Sequence, residues 1–218
     1  GGNVIRTNCD YWVVDDLFDD DPDADFDTIQ AAVNAASDGD EILVMPGTYA
    51  QAYEGGDVDH IIRLDGKDVV IRSQAGPEQT IIAGTKSSSS TVGLKCENGV
   101  TSASLIEGFT FTDFTNMGTL TIIDSSPTIA NCIIRDNSGV SFWPGTLGGG
   151  AAICVRSSSL FENCVFQNNT STNGYSGGVF ALRDCPGVEF RSCDFIDNTS
   201  TGEGGAIWVP NGGSTDCV

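Results

Sequence analysis

Apolar positions in this chain come in short bursts of alternation, such as Ala152, Cys154, then Leu160, then Cys164 and Phe166, broken by Ser, Asn, Gly and Pro. Bursts of period two predict strands, and these are too short and wrongly spaced for helices. From Gly118 onward the bursts recur as a block. Gly118–Asn137, Gly150–Asn169 and Gly178–Asn198 are three versions of one unit, and Gly205 opens a fourth. A constant offset of 32 residues matches Ile129 with Phe161, Asn131 with Asn163, Cys132 with Cys164, Ile134 with Phe166 and Asn137 with Asn169. The third copy follows 28 residues on at its glycines (Gly150 to Gly178) and 29 on at its cysteine (Cys164 to Cys193), so the turn around Pro186 and Gly187 absorbs one residue.

Self-similarity at this period predicts stacked supersecondary units. With roughly three strands per unit, each unit makes one three-sided turn of an all-β parallel solenoid, and equivalent residues of successive turns stack about 4.8 Å apart. Phe161 then lies on Phe190 and Phe166 on Phe195, with Ile134 beneath, as an apolar ladder filling the bore. Asn137, Asn169 and Asn198 form a polar ladder at a bend, where stacked amides bond one another and tolerate left-handed backbone. A sandwich or barrel also suits many short strands. It would leave the constant offset unexplained.

The N-terminal half is less regular. Asp27, as N-cap, with Gln30 three residues on has the form of a capping box, and Phe26 is placed to pack on the first turn. Ile29, Ala32, Val33 and Ala36 form one helical face ending at Gly39. A short α-helix there would cover the open apolar end of the column. Strands are expected at Glu41 to Met45, His60 to Leu64, Asp68 to Arg72, Thr80 to Ala83, Val92 to Cys96 and Leu105 to Thr112. Residues 1–40 thus read as an acidic segment with the capping helix, and 41–218 as the β-helix. The fourth unit reaches Val218 before its Phe-x-x-Asn arm, which predicts either a longer chain or an end covered by another molecule, a route to head-to-tail filaments.

A net charge of −20 argues against nucleic acid and anionic membranes as partners. No apolar stretch is long enough to span a bilayer, so membrane insertion is not expected. Nine aspartates fall between Asp10 and Asp27. Asp19, Asp21, Asp23 and Asp25, at every second position, are the candidate ligands for a Ca²⁺ ion, and the simpler reading is a solvated acidic loop. No other cofactor is implied. The eight cysteines (9, 96, 132, 154, 164, 185, 193 and 217) are an even number, as in an oxidised extracellular protein. Cys132, Cys164 and Cys193 share one repeat position and should stack inward, close enough for a disulfide across turns.

Gly-Gly-Ala-Ile (Gly204 to Ile207, with variants at Gly149 and Gly177) alternating with Phe-x-x-Asn (Phe166 to Asn169, Phe195 to Asn198) resembles the repeats of polymorphic outer-membrane adhesins. Ser126 to Cys132 and Asp27 to Tyr49 resemble secreted bacterial right-handed β-helix repeat proteins of the pectin-lyase-like superfamily. The resemblance implies a right-handed helix and export to the cell surface, and leaves activity open, since that superfamily holds lyases, hydrolases and adhesins. A lyase needs an Arg/Lys cluster or cation plus a base, and a hydrolase needs paired aspartates on an outward face. No catalytic residues are assigned: His60 reads as an ordinary surface histidine, and the row Asp113, Asp136, Asp197, interrupted by Asn168, as a turn edge. Candidate ligand-binding residues are the aromatics Trp143, Tyr175 and Trp208, the last facing outward by alternation with Ile207 and Val209, and the pair Arg156 and Arg183, with Asp184 as an ion-pair partner for Arg183. The expected role is a secreted or cell-surface adhesion or structural module that binds polysaccharide or a cell-surface protein. The alternatives are a lyase or hydrolase acting on acidic polysaccharide, and an end-to-end filament subunit.

Overall fold

In the computed structural model, which describes residues 11–17, 20–52, 59–84, 91–116, 119–139, 148–172, 176–202 and 204–209, the chain winds as a parallel β-helix. Three long sheets form its faces. Face 1 holds Tyr11–Val14, Glu41–Val44, Val70–Ser73, Leu105–Glu107, Thr128–Ala130, Leu160–Glu162 and Glu189–Arg191 in that order. Face 2 runs from Gly47–Tyr49 through Thr80–Ala83, Thr110–Thr112, Ile133–Arg135 and Val165–Gln167 to Asp194–Ile196. Face 3 runs from Asp59–Asp65 through Thr91–Glu97, Leu120–Ile123, Ala152–Val155 and Phe180–Arg183 to Ile207–Trp208. From Glu41 onward each rung visits face 1, face 2 and face 3 in turn, with short strands such as Ser138–Gly139 and Thr170–Ser171 between the second and third in the later rungs.

The expected stacking is present. Ile129 pairs with Phe161 and Phe161 with Phe190, while Ile134 pairs with Phe166 and Phe166 with Phe195. Phe161 stacks on Phe190 at 5.4 Å and Phe166 on Phe195 at 5.0 Å, with Phe180 edge-on to both lower rings at 4.9 and 5.0 Å. Phe161, Phe166 and Phe180 are fully buried, and burying each such side chain contributes roughly 2–3 kcal/mol. The amide ladder also forms: Asn137 Nδ2 donates to Asn169 Oδ1 at 2.9 Å, and Asn169 Nδ2 to Asn198 Oδ1 at 3.0 Å. The left-handed residue at this bend is Asp113, Asp136, Asn168 and Asp197 in successive rungs, with φ from 53° to 63°, and the last three each stand just before a ladder asparagine. Their short polar side chains make that conformation cheap.

Repeated glycines have a different cause. A Cβ on Gly150 would lie 2.0 Å from the Gly178 carbonyl oxygen, and one on Gly178 only 1.9 Å from that of Gly205. Successive rungs touch backbone to backbone there, and any side chain would push them apart.

Several expectations need correcting. Leu105 to Thr112 is two strands, because Gly108, with φ +83°, turns the chain from face 1 to face 2. Asn131, Asn163 and Ser192 make the same turn in later rungs. The helix is Ile29–Ala35, and its N-cap is Thr28, whose hydroxyl accepts from the Ala31 amide at 3.3 Å. Gln30 does not close a capping box. It is buried, and its Oε1 accepts from the Arg63 amide at 2.6 Å, tying the helix to the first strand of face 3. Phe26 packs against Trp12 at 5.3 Å. Tyr11–Val14, inside the segment read as acidic and irregular, is a full strand in register with Glu41–Val44, so face 1 begins before the helix.

Candidate functional site

The chain leaves face 3 through a left-handed residue in rung after rung: Gly66, Asn98, Asp124, Arg156 and Asp184, with φ between 49° and 67°. Gly, Asn and Asp adopt this conformation readily, whereas arginine pays for it with steric strain of about 1 kcal/mol or more. Arg156 is held by its neighbour one rung below: Nε and Nη2 reach the two Asp124 carboxylate oxygens, each at 2.5 Å. Bidentate geometry of this kind is the strong form of an ion pair. Hydrogen bonding from Arg156 depresses the Asp124 carboxyl below its usual range, and the same bond raises the guanidinium. Both side chains are about half exposed, at 52% and 50%.

Below this pair the corner opens into a groove of about 550 Å³, whose lining includes Thr101, Ser102, Ser125, Ser126 and Ser158 as well as Asp124 and Arg156. The lining is braced from rung to rung. Ser126 Oγ accepts from the Ser158 amide at 2.9 Å and Ser125 Oγ from the Val100 amide at 3.2 Å. Asp68 accepts from the Thr101 amide, the Thr101 hydroxyl and the Ser104 hydroxyl at 2.7, 2.5 and 2.9 Å. Burial works against the charged form of Asp68, but those three bonds prevail and its carboxyl titrates below the usual range.

The outward side of face 3 adjoins the groove and changes character along the axis. At the N-terminal end Arg63 contacts Asp65 at 3.1 Å and Glu97 at 2.5 Å, and Lys95, only 3% exposed, contacts Glu97 at 3.1 Å. Farther on, Ile153, Val155 and Ala181 form a small buried cluster, with Ile123 and Trp208 packed on it.

Of the five candidate binding residues, Arg156, Arg183 and Trp208 lie on this side of the molecule, and Trp143 and Tyr175 lie outside the described residues. Trp208 does point outward: it pairs with Ala181, while Ile207 and Val209 pack into the bore. It is half-buried rather than a free-standing ring. Arg183 stands beside Val155 and so lies near Arg156 in register, while the Arg156 guanidinium is matched with Asp124. Asp184 lies close enough to Arg156 to raise its guanidinium further. Asp124 escaped the sequence reading, yet the 32-residue offset places it one unit before Arg156.

Asp19 lies outside the described residues, Asp21 accepts from the Asp23 amide at 3.1 Å, and Asp25 accepts from the Val13 amide at 3.0 Å. Buried Asp15 accepts from the amides of Asp20 and Asp21 at 3.0 and 2.6 Å. These carboxylates bond backbone amides and so shape the loop. Among the described residues no three carboxylate, imidazole or thiol groups gather where a metal ion could be held. His60 is buried, at 2% exposure, and not on the surface as expected. No helix among the described residues is long and apolar enough to cross a membrane.

Residues 60–217 match the family described as the right-handed β-helix region. No curated protein matches the sequence. Among solved structures, the pectin methylesterase of Aspergillus niger aligns over 97% of this chain and 85% of its own, at 13% identity and a TM-score of 0.44. A pectin methylesterase variant in complex with a hexasaccharide aligns over 90% of this chain and 68% of its own, at 11% identity and a TM-score of 0.40. Likeness at that level says nothing of what this chain binds.

Proposed function

The chain belongs to the right-handed β-helix family, and we propose that it is a secreted or cell-surface module that binds polysaccharide along the corner between faces 3 and 1, with no chemistry of its own. The observation that carries this reading is Arg156, held at φ +49° and clamped to Asp124 at the lip of a groove rich in hydroxyl groups. Strained residues kept in place by their surroundings cluster at binding sites. A planar guanidinium and carboxylate side by side offer donors and acceptors to neighbouring sugar hydroxyls, while the net charge of −20 disfavours polyanions and points to an uncharged glycan. Trp208 lies two rungs beyond Arg156, about 10 Å along the axis, and its half-buried ring would extend the contact.

Titration calorimetry of neutral oligosaccharides selected on a glycan array tests this. Arg156→Ala should weaken binding at least about tenfold while changing stability by no more than about 1 kcal/mol, as expected for an exposed pair. Unchanged affinity in the variant, or no neutral glycan bound by the wild type, would refute it.

One observation favours the enzymatic alternative: Arg63, Asp65, Lys95 and Glu97 converge on one outward patch, the kind of cluster that a lyase or hydrolase of acidic polysaccharide requires. Incubation with polyuronates, with and without Ca²⁺, followed by absorbance of unsaturated products and assay of reducing ends, decides between the two readings.

A further inference from the structure

Cys132, Cys164 and Cys193 occupy one position on three successive rungs, each immediately before the face 2 strands that pair Ile133 with Val165 and Val165 with Asp194. All three are thiols. Each donates to a carbonyl of the rung below and to one two residues back: Cys164 to Ile129 and Glu162 at 3.5 and 3.4 Å, Cys193 to Phe161 and Arg191 at 3.4 and 3.5 Å. The thiols also contact one another, Cys132 with Cys164 and Cys164 with Cys193. Parallel neighbours stand about 4.8 Å apart, inside the Cα separation of about 4.4–6.8 Å that a disulfide spans.

The two contacts are not equivalent. Cys132 and Cys164 are 1% and 0% exposed, and both lie on rungs that are paired above and below. Cys193 is half-exposed. An oxidant therefore reaches Cys193 before the two buried thiols.

We propose that Cys164 and Cys193 are a redox staple, joined across adjacent rungs by a small-molecule disulfide such as oxidised glutathione. The Cys193 thiolate attacks one sulfur of the oxidant, forming a mixed disulfide and releasing one glutathione thiol. The Cys164 thiolate then attacks the Cys193 sulfur, forming the Cys164–Cys193 bond and expelling the second. Two protein thiols are oxidised, one glutathione disulfide is reduced to two thiols, and the two protein protons end on them. Cys132 is left as a thiol, because three stacked cysteines can close only one bridge. Hydrogen bonding to Cys164 together with burial pushes the Cys193 thiol well above its usual range, and hydrogen bonding to Cys132 together with burial pushes Cys164 up to about 12, so little thiolate is present and the exchange is slow at neutral pH.

The test is to reduce the full chain, remove the reductant, incubate with oxidised glutathione, trap remaining thiols under denaturing conditions, and map linked peptides by mass spectrometry. The expected product is a Cys164–Cys193 link in wild type and in Cys132→Ser, with a thermal midpoint several degrees higher than in the reduced protein, and with neither link nor shift in Cys193→Ser. A Cys132–Cys164 link in wild type, glutathione retained on Cys193, or three unmodified thiols would each overturn the proposal.

Discussion

The rungs before about residue 100 and those after it solve one problem in two ways. Every rung must turn its corners and satisfy the backbone groups stranded there. In the later rungs one device is copied: the Asn137, Asn169 and Asn198 amides pass a hydrogen bond from rung to rung, and left-handed Asp or Asn precedes each of them. In the earlier rungs each corner has its own device, with Gln30 bonding the Arg63 amide, Asp68 gathering Thr101 and Ser104, and the Tyr49 hydroxyl donating to the carbonyls of Val14 and Met45 at 3.2 and 3.0 Å. The interiors differ too, Ile42, Ile62, Leu64 and Ile71 in the first half giving way to Phe161, Phe166 and Phe180 in the second. A β-helix therefore needs satisfied corners and a filled bore, and repetition is one way of supplying them.

That contrast breaks most visibly in the aromatic bore. Phe161→Ala removes a fully buried ring in contact with three others and is expected to lower the unfolding free energy by about 3–5 kcal/mol in urea denaturation. A loss under about 1 kcal/mol would mean that the stack contributes little. The amide ladder comes next. Asn169→Ala strands the Ile134 carbonyl, the Asn137 amide and the Asn198 side chain in a buried corner, for an expected loss of about 3 kcal/mol. The one-off device at Asp68 sits where water can replace it, so Asp68→Ala should cost only about 1 kcal/mol. Its sign with pH follows from the depressed carboxyl. The folded form binds its proton less readily than the unfolded chain, so the contribution is complete above about pH 4 and fades as pH falls through the folded value. Wild type and variant should therefore converge in stability on acidification, and a gap that persisted at low pH would contradict the assignment.

How far the fold could be read in advance follows the same division. Where a device is copied, one alignment finds it, and the phenylalanine stack, the cysteine row and the amide ladder all lie where the offset puts them. Where it is unique, no internal comparison exists. Thr28 rather than Asp27 caps the helix because the choice depends on where the chain arrives from Phe26, itself fixed by Trp12. The strand Tyr11–Val14 was hidden by the aspartates around it, whose carboxylates bond loop amides. The site was legible in part. Arg156 and Trp208 stood out as residue types, but the partnership with Asp124 needed the offset to be applied to polar residues as strictly as to apolar ones.

The backbone contact between Gly150 and Gly178, repeated between Gly178 and Gly205, has one more consequence. These later rungs meet through the same bare glycines, so splicing in or removing one of their units recreates junctions that already exist. The height of the column can change by recombination between units without any new surface being invented, whereas a gain or loss of part of a unit would misalign every ladder above it.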